Sequence, residues 1–373
     1  MRIVKVDTYP LLYPLQRPYG DANGYKKYRS SYLIRVETAA GIDGWGECVD
    51  YLPTLHTGLH ERIVPFLIGQ SALNRNEIVE VTGKWHQRLA AALCMALTEI
   101  AAKDAGLHLC EYWGGRRRAE VPLYASFQSY SESDNWVERS VELVGQAMDS
   151  GFTMAKLKIG GRSYCEDKRH IVEIQANYSD KLRIILDGNQ SYDTAFTQKW
   201  RQLFQHWDNL LWLEEPIPFH LMEEYRLLRT VMGVPIAGGE NMQGASDFLP
   251  ILQSRAFDLL QPDPMHHTSI DAYRESLSLA RQFGFRVSPH CYDGGLARLY
   301  SICAQACLPP WSKMNGEEIE PVEWDVMDNP FTQLFPLTIR QGMVTVPTGR
   351  GIGVQPNHEL IEKYRWDGRS YDA

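Results

Sequence analysis

Apolar positions along this chain change their period near residue 115. Before that point, residues 2–9 and 31–37 alternate apolar and polar side chains, the period-two pattern of half-buried strands. Residues 41–47, Gly-Ile-Asp-Gly-Trp-Gly-Glu, read as a turn entering a third strand, and 59–67, 76–81 and 85–105 read as helices. The last holds the longest purely apolar run, Leu89 to Leu97, and continues through Glu99 and Lys103 at i,i+4 spacing. Strands followed by helices predict an α+β domain over 1–115.

After it the pattern becomes a beat. Short apolar runs, beginning with Val121–Ser126, alternate with helical stretches at 134–150, 165–178, 193–207, 222–231, 245–253, 270–283 and 296–307. Strand and helix in strict alternation predict a parallel barrel over 116–324, its eighth strand near Ile319-Glu320. Residues 325–373 are too few for a domain and are expected to pack back on the first one.

The runs end in ionisable residues. Lys156-Leu157-Lys158 alternates within one run, so both lysines share a face. Asp187, Glu214, Glu240, Asp263 and His290 follow at intervals of 31, 27, 26, 23 and 27 residues counted from Lys156. Strand ends of a parallel barrel converge on one face, where active sites sit. A lone acid after an apolar run is usually a cap or a turn; six polar strand ends in register are not chance. Three converging carboxylates, Asp187, Glu214 and Glu240, predict a hard cation, one Mg²⁺ per site. Lys158 and His290 flank that arc from opposite sides, and Asp263 can fix the histidine tautomer. The set suits removal of a proton α to a carboxylate. Lys156 is expected to lower the pKa of Lys158 as a like charge, so that Lys158 can act as a base.

Composition narrows the partners. The 373 residues are 44% hydrophobic and 23% charged, with net charge −8 and no basic block, so neither nucleic acid nor a membrane is expected. No apolar run is long enough to span a bilayer. The N-terminus does not read as a signal peptide, and seven scattered cysteines without a CxxC read as reduced thiols of a cytoplasmic protein. A small-molecule carboxylate and a homo-oligomer are the expected partners.

These residues resemble the enolase superfamily, in its mandelate racemase-like branch. The likeness rests on Lys156-Leu157-Lys158, Asp187-Gly188-Asn189-Gln190, Glu214-Glu215-Pro216, Gly239-Glu240-Asn241, Pro262-Asp263 and Ser288-Pro289-His290. It implies a modified (β/α)7β barrel with an α+β capping domain that the C-terminal tail completes. It also implies Asp187, Glu214 and Glu240 as metal ligands, and Lys158 and His290–Asp263 as opposed acid/base groups. Glu320 would hydrogen-bond an enediolate oxygen, with Glu317 and Glu318 as neighbours, and Ser126 and Asn189 would touch substrate. The chain departs from the family's glycine pair at Met265-His266-His267-Thr268-Ser269, so His266 is a candidate contact. A capping loop over 17–29 carries Tyr25, Lys26, Lys27 and Arg29, which suit an anionic polyol. Dehydration of a sugar acid to a 2-keto-3-deoxy acid is the reading these features favour. Racemisation or epimerisation by the same enediolate is the alternative within the chemistry, and a non-catalytic sugar-acid binding protein is the alternative outside it.

Overall fold

A computed structural model describes residues 1–371. Its first three strands are β1 (Ile3–Asp21), β2 (Gly24–Thr38) and β3 (Asp43–Cys48), an antiparallel meander. The helix Gln87–Asp104 lies across this sheet and is buried along most of its length, as its apolar run requires. It approaches so closely that a Cβ on Gly46 would collide with the Ala92 carbonyl oxygen. The expected Glu99–Lys103 pair forms at 2.8 Å.

The strands are longer than the alternation indicated. Residues 17–29, expected as a loop, form the far end of the β1–β2 hairpin, with Tyr19 opposite Lys26 and Asp21 opposite Gly24. Pro10, Pro14 and Pro18 disguise β1, because proline reads as a strand breaker. The register shifts between Pro14 and Tyr19, which is how the ladder accommodates them.

The barrel begins with β4 (Glu120–Ser126), followed by the short β5 (Tyr130–Ser131). It continues through β6 (Met154–Lys158), β7 (Arg183–Asp187), β8 (Leu210–Glu214), β9 (Ile236–Gly238), β10 (Leu259–Leu260), β11 (Arg286–Val287) and β12 (Val322–Asp325). Parallel ladders run in the order β11-β10-β9-β8-β7-β6-β4, and β12 pairs with β4. Between β11 and β12 the Ser288 hydroxyl donates to the Pro321 carbonyl at 2.7 Å. This is the parallel barrel that the alternation predicted, in the modified form that the resemblance implied. Its eighth strand starts at Val322 rather than near Ile319.

Inward-facing residues fill the barrel in layers. Tyr124, Met154, Ile185, Trp212, Ala237 and Leu259 form one apolar layer. On β6 the next inward positions are Lys156 and then Lys158, while Ala155 and Leu157 face the surrounding helices. The alternation that put two lysines on one face thus carries them up the bore onto an apolar floor. Lys156 Nζ stands 5.7 Å from the centroid of the Tyr124 ring.

Backbone pairing and buried ion pairs join the cap to the barrel mouth. The hairpin tip pairs with β5, Tyr19 opposite Ser131 and Gly20 opposite Tyr130. The buried Arg29 guanidinium reaches Asp325 at 2.6 Å and Asp293 at 3.1 Å. The tail adds β13 (Ile339–Arg340) and β14 (Met343–Thr345); β14 pairs antiparallel with the start of β4. Further on, Trp366 N donates to the Pro10 carbonyl and Arg365 bridges Leu11, so the tail touches both barrel and cap.

Candidate active site

The strand ends of the barrel hold one continuous charged cluster. Lys156, fully buried, contacts Glu323 at 2.7 Å, Glu214 at 2.8 Å and Asp187 at 3.4 Å. Lys158 contacts Asp187 at 2.6 Å. Across the mouth, His290 Nδ1 donates to Asp263 at 2.6 Å, and its Nε2 lies 3.2 Å from Glu240 and 3.6 Å from Glu323. Asp263 is oriented by the Met265 N–H at 2.6 Å. Lys158 and the His290–Asp263 pair therefore belong to opposite sides of the same cluster.

Burial and charge oppose each other throughout it. Burial would lower the pKa of His290, but Glu240, Glu323 and Asp263 outweigh it and push the imidazolium up to about 10. Burial likewise disfavours the Lys158 ammonium, yet Asp187 holds it above the ordinary lysine value. The expected lowering by Lys156 is present, but the carboxylate in contact at 2.6 Å wins. In this arrangement Lys158 is an ion-paired cation, contrary to the sequence expectation. Glu214 moves up, from burial and from its neighbour Asp187.

The expectation of a Mg²⁺ site is corrected here. Asp187 Oδ2 is held by Lys158 and Lys156, while Glu214 is held by Lys156, by Gln261 Nε2 at 2.6 Å and by Trp212 Nε1 at 3.2 Å. Glu240 turns to His290. The three acids do not converge as a hard-oxygen ligand set, because cations and donors of the protein itself take their oxygens. Among the described residues, the group whose ligand atoms lie within 4.8 Å of one another is His108, Cys110 and Cys303. That is a soft nitrogen–sulfur set, unlike the oxygen cage Mg²⁺ requires.

Ser126, at the end of β4, donates to Glu323 at 2.7 Å. Asn189 sits at φ 42° with its N–H on Asp187 and its side-chain oxygen buried without a hydrogen-bond partner. His266 stacks on His290, ring centroids 6.3 Å apart, and its Nδ1 donates to the Glu240 carbonyl at 2.8 Å. From the hairpin, Lys26 pairs with Asp293 at 3.3 Å, and Tyr25 accepts from Arg162 at 2.7 Å. Lys27 is exposed. Arg29 lies 4.6 Å over the Tyr292 ring with Nη1 unpaired.

Glu320 is placed elsewhere. Its carboxylate takes a bidentate grip from Arg281, at 2.6 and 2.8 Å, and accepts from Val287 N. The acid that reaches the cluster from the last strand is Glu323, between Lys156, Ser126 and the Cys291 N–H. The strand starts two residues later than Glu320, so Glu323 points inward. Its signal was the period-two run Val322-Glu323-Trp324-Asp325. Gln261, the other residue missed, directly follows the β10 run.

A capped parallel barrel with two lysines, a histidine–aspartate pair and ringed carboxylates at its mouth defines a class of enzymes that move protons at a bound substrate. The chain belongs to the enolase superfamily, in its mandelate racemase/muconate lactonizing branch. Residues 139–360 match the enolase C-terminal domain-like model, and 4–114 match the mandelate racemase/muconate lactonizing enzyme N-terminal domain. It is 28% identical over 380 residues to D-galactarolactone cycloisomerase of Agrobacterium fabrum, covering 98% of this chain and 99% of the relative. It is 25% identical over 362 residues to D-gluconate dehydratase of Thermoproteus tenax, covering 90% and 70%. A member of the enolase superfamily from Polaromonas sp. JS666 superposes with TM-score 0.84 at 26% identity over the whole of both chains. No helix among the described residues is long and apolar enough to cross a membrane.

Proposed function

We propose that the protein removes the proton α to the carboxylate of a sugar acid and expels the β-hydroxyl, forming a 2-keto-3-deoxy acid. The observation that carries this reading is His290, set on Asp263 at 2.6 Å and faced by Glu240 and Glu323, carboxylates that favour its cationic form, on the side of the cluster opposite Lys158. Elimination of hydroxide needs an acid, and a cationic imidazole held in position is one.

In the proposed reaction neutral Lys158 takes the α-proton as the C–H bond breaks. His290 Nε2 gives its proton to the β-oxygen as the C–O bond breaks. Water leaves, and the enol takes a proton at carbon to become the ketone. Asp187 disfavours the neutral lysine, so the step draws on a minor protonation state and its rate rises with pH until His290 deprotonates. Asp263 orients His290, and Lys156 supplies fixed positive charge beside the developing enediolate. Asn189 Oδ1 and Arg29 Nη1, buried and unpaired, supply an acceptor and a donor suited to a hydroxylated acid. Ser126, His266, Tyr25, Lys26 and Lys27 complete the proposed contacts.

A second reading comes from the relatives, whose names divide between sugar-acid dehydratases and cycloisomerases. In it the same α-carbanion expels an oxygen held in a lactone ring. Racemisation is the third outcome, with the proton returned from the opposite face.

The test is incubation with a panel of mono- and diacid sugars and their lactones in D₂O, with detection of α-keto acid and of deuterium at the α-carbon. His290→Asn should keep α-exchange and lose elimination, because general acid help is worth about 10²–10⁴-fold. Lys158→Ala should lose both. The reverse pattern assigns abstraction to His290. An epimer with no keto acid overturns dehydration and leaves the proton-transfer pair in place.

A further inference from the structure

Far from the strand ends, the segment leaving the cap meets the last barrel helix. His108 caps the short helix Leu109–Tyr112, and Cys110 lies within it. Cys303 and Cys307 lie on the helix Gly295–Cys307 at i,i+4 spacing, hence on one face. The two segments are stitched by sulfur: the Cys110 thiol faces the Cys303 carbonyl at 3.7 Å, and the Cys307 thiol faces the Cys110 carbonyl at 3.8 Å. A ring nitrogen of His108 and the sulfurs of Cys110 and Cys303 lie within 4.8 Å of one another, all three residues buried.

His108 carries the second observation. Its Nδ1 faces the Cys110 N–H at 3.1 Å and the Glu111 carboxylate at 3.3 Å. Its Nε2 is buried with no hydrogen-bond partner. A buried polar nitrogen without a partner is costly and calls for an explanation. For Nε2 to ligate a cation the ring proton must sit on Nδ1, where Glu111 is the carboxylate placed to accept it in exchange for the cap contact from the Cys110 N–H.

We propose that His108, Cys110 and Cys303, with Cys307 as the fourth ligand, bind a thiophilic divalent cation of the Zn²⁺ class. The site would pin the cap-to-barrel segment to the last helix. Thiolate and imidazole select such an ion over Mg²⁺. Tetrahedral zinc at about 2.3 Å from each sulfur sets sulfur–sulfur separations of about 3.8 Å. The ligand atoms of His108, Cys110 and Cys303, within 4.8 Å of one another, close to that by side-chain movement, and Cys307, whose thiol meets the Cys110 carbonyl at 3.8 Å, turns in to complete the set. Each thiol bound gives up its proton to solvent, so the metal–sulfur bonds replace S–H bonds with no change of oxidation state.

The experiment titrates the reduced full-length protein with Co²⁺ as an optical probe, then displaces it with Zn²⁺. One equivalent should bind, with a thiolate-to-cobalt charge-transfer band and the visible bands of a tetrahedral ion, and Zn²⁺ should erase both. Cys110→Ala and Cys303→Ala should abolish the band; Cys165→Ala, at an exposed thiol, should keep it. No charge-transfer band, or one that survives Cys110→Ala, overturns the site. Should the alanine variants fail to fold, the wild type still decides. During an alkylation pulse in mild denaturant, Zn²⁺ should protect Cys110 and Cys303 but not Cys48. Equal labelling with and without Zn²⁺ refutes the proposal.

Discussion

Glu47 tests how the cap is fixed to the barrel. It is fully buried on β3, accepts from the Ser31 hydroxyl at 2.6 Å, and receives the Leu296 and Ala297 N–H groups at 2.7 and 3.2 Å. Those amides open the helix Gly295–Cys307, whose own N-cap residue, Gly294, has no side chain to offer. The cap thus supplies the barrel helix with its missing acceptor. Truncation to Ala would leave two buried donors unmet at about 1–3 kcal/mol each, for a loss of about 2–4 kcal/mol after relaxation. Gln is the informative change. Burial raises the Glu47 pKa, so at this position the neutral side chain is favoured relative to water and the charge itself adds nothing net. Gln keeps the carbonyl oxygen for both amides and can donate to Ser31. Loss of the charge–dipole attraction, up to about 2 kcal/mol, is offset by relief of desolvation. Glu47→Gln should therefore stay within about 1 kcal/mol of wild type. Urea denaturation at pH 7, comparing midpoints and m-values, is the assay. If Gln costs as much as Ala, the charge rather than the acceptor is the tie, and the argument fails.

Other consequences can be measured alongside. His170, buried with Nε2 on Ser140 at 2.8 Å, has its pKa depressed by burial to about 3, while the unfolded chain takes up that proton near 6.5. Stability should fall as pH drops from about 6.5 toward 3, by up to about 5 kcal/mol, and His170→Asn should flatten that limb of the urea-midpoint profile. Arg29→Met should cost about 3–5 kcal/mol, because it strands Asp325, and Asp325→Asn should restore part of the loss in a double-mutant cycle. Lys27→Met should raise KM for a confirmed substrate with no change in urea midpoint; an unchanged KM makes Lys27 a solvated surface charge. Gly46→Ala should lower the thermal midpoint sharply, since its Cβ meets the Ala92 backbone. Gly58→Ala, helical and with open space around its Cβ, should hold or raise it.

Period and spacing were enough to find the barrel, because each β/α unit repeats the same local pattern and ends in one polar residue. They failed where the decisive partner is distant. The cations of residues 17–29 stand without partners in the sequence, whereas in the fold Asp293 and Asp325, from the far end of the chain, pair with Lys26 and Arg29. The three acids read as a cation cage, but Lys156 and Lys158, from β6, occupy two of them. Glu320 and Glu323 differ by less than the error of a strand boundary, and Arg281 decides between them. Cys110 and Cys303 are 193 residues apart, so no motif could pair them.

The seam between the hairpin tip and β5 is made of main chain. Backbone pairing is indifferent to which side chains flank it, so residues 21–28 other than Gly24, which sits at φ 130°, can be changed by mutation without breaking that pairing. On the proposed function, the tip's share of recognition and the chemistry of the strand ends are carried on separate stretches of the sequence. Under that function, a lineage or a laboratory library can retune recognition by varying seven positions at the tip, and leave the proton-transfer apparatus of the strand ends untouched.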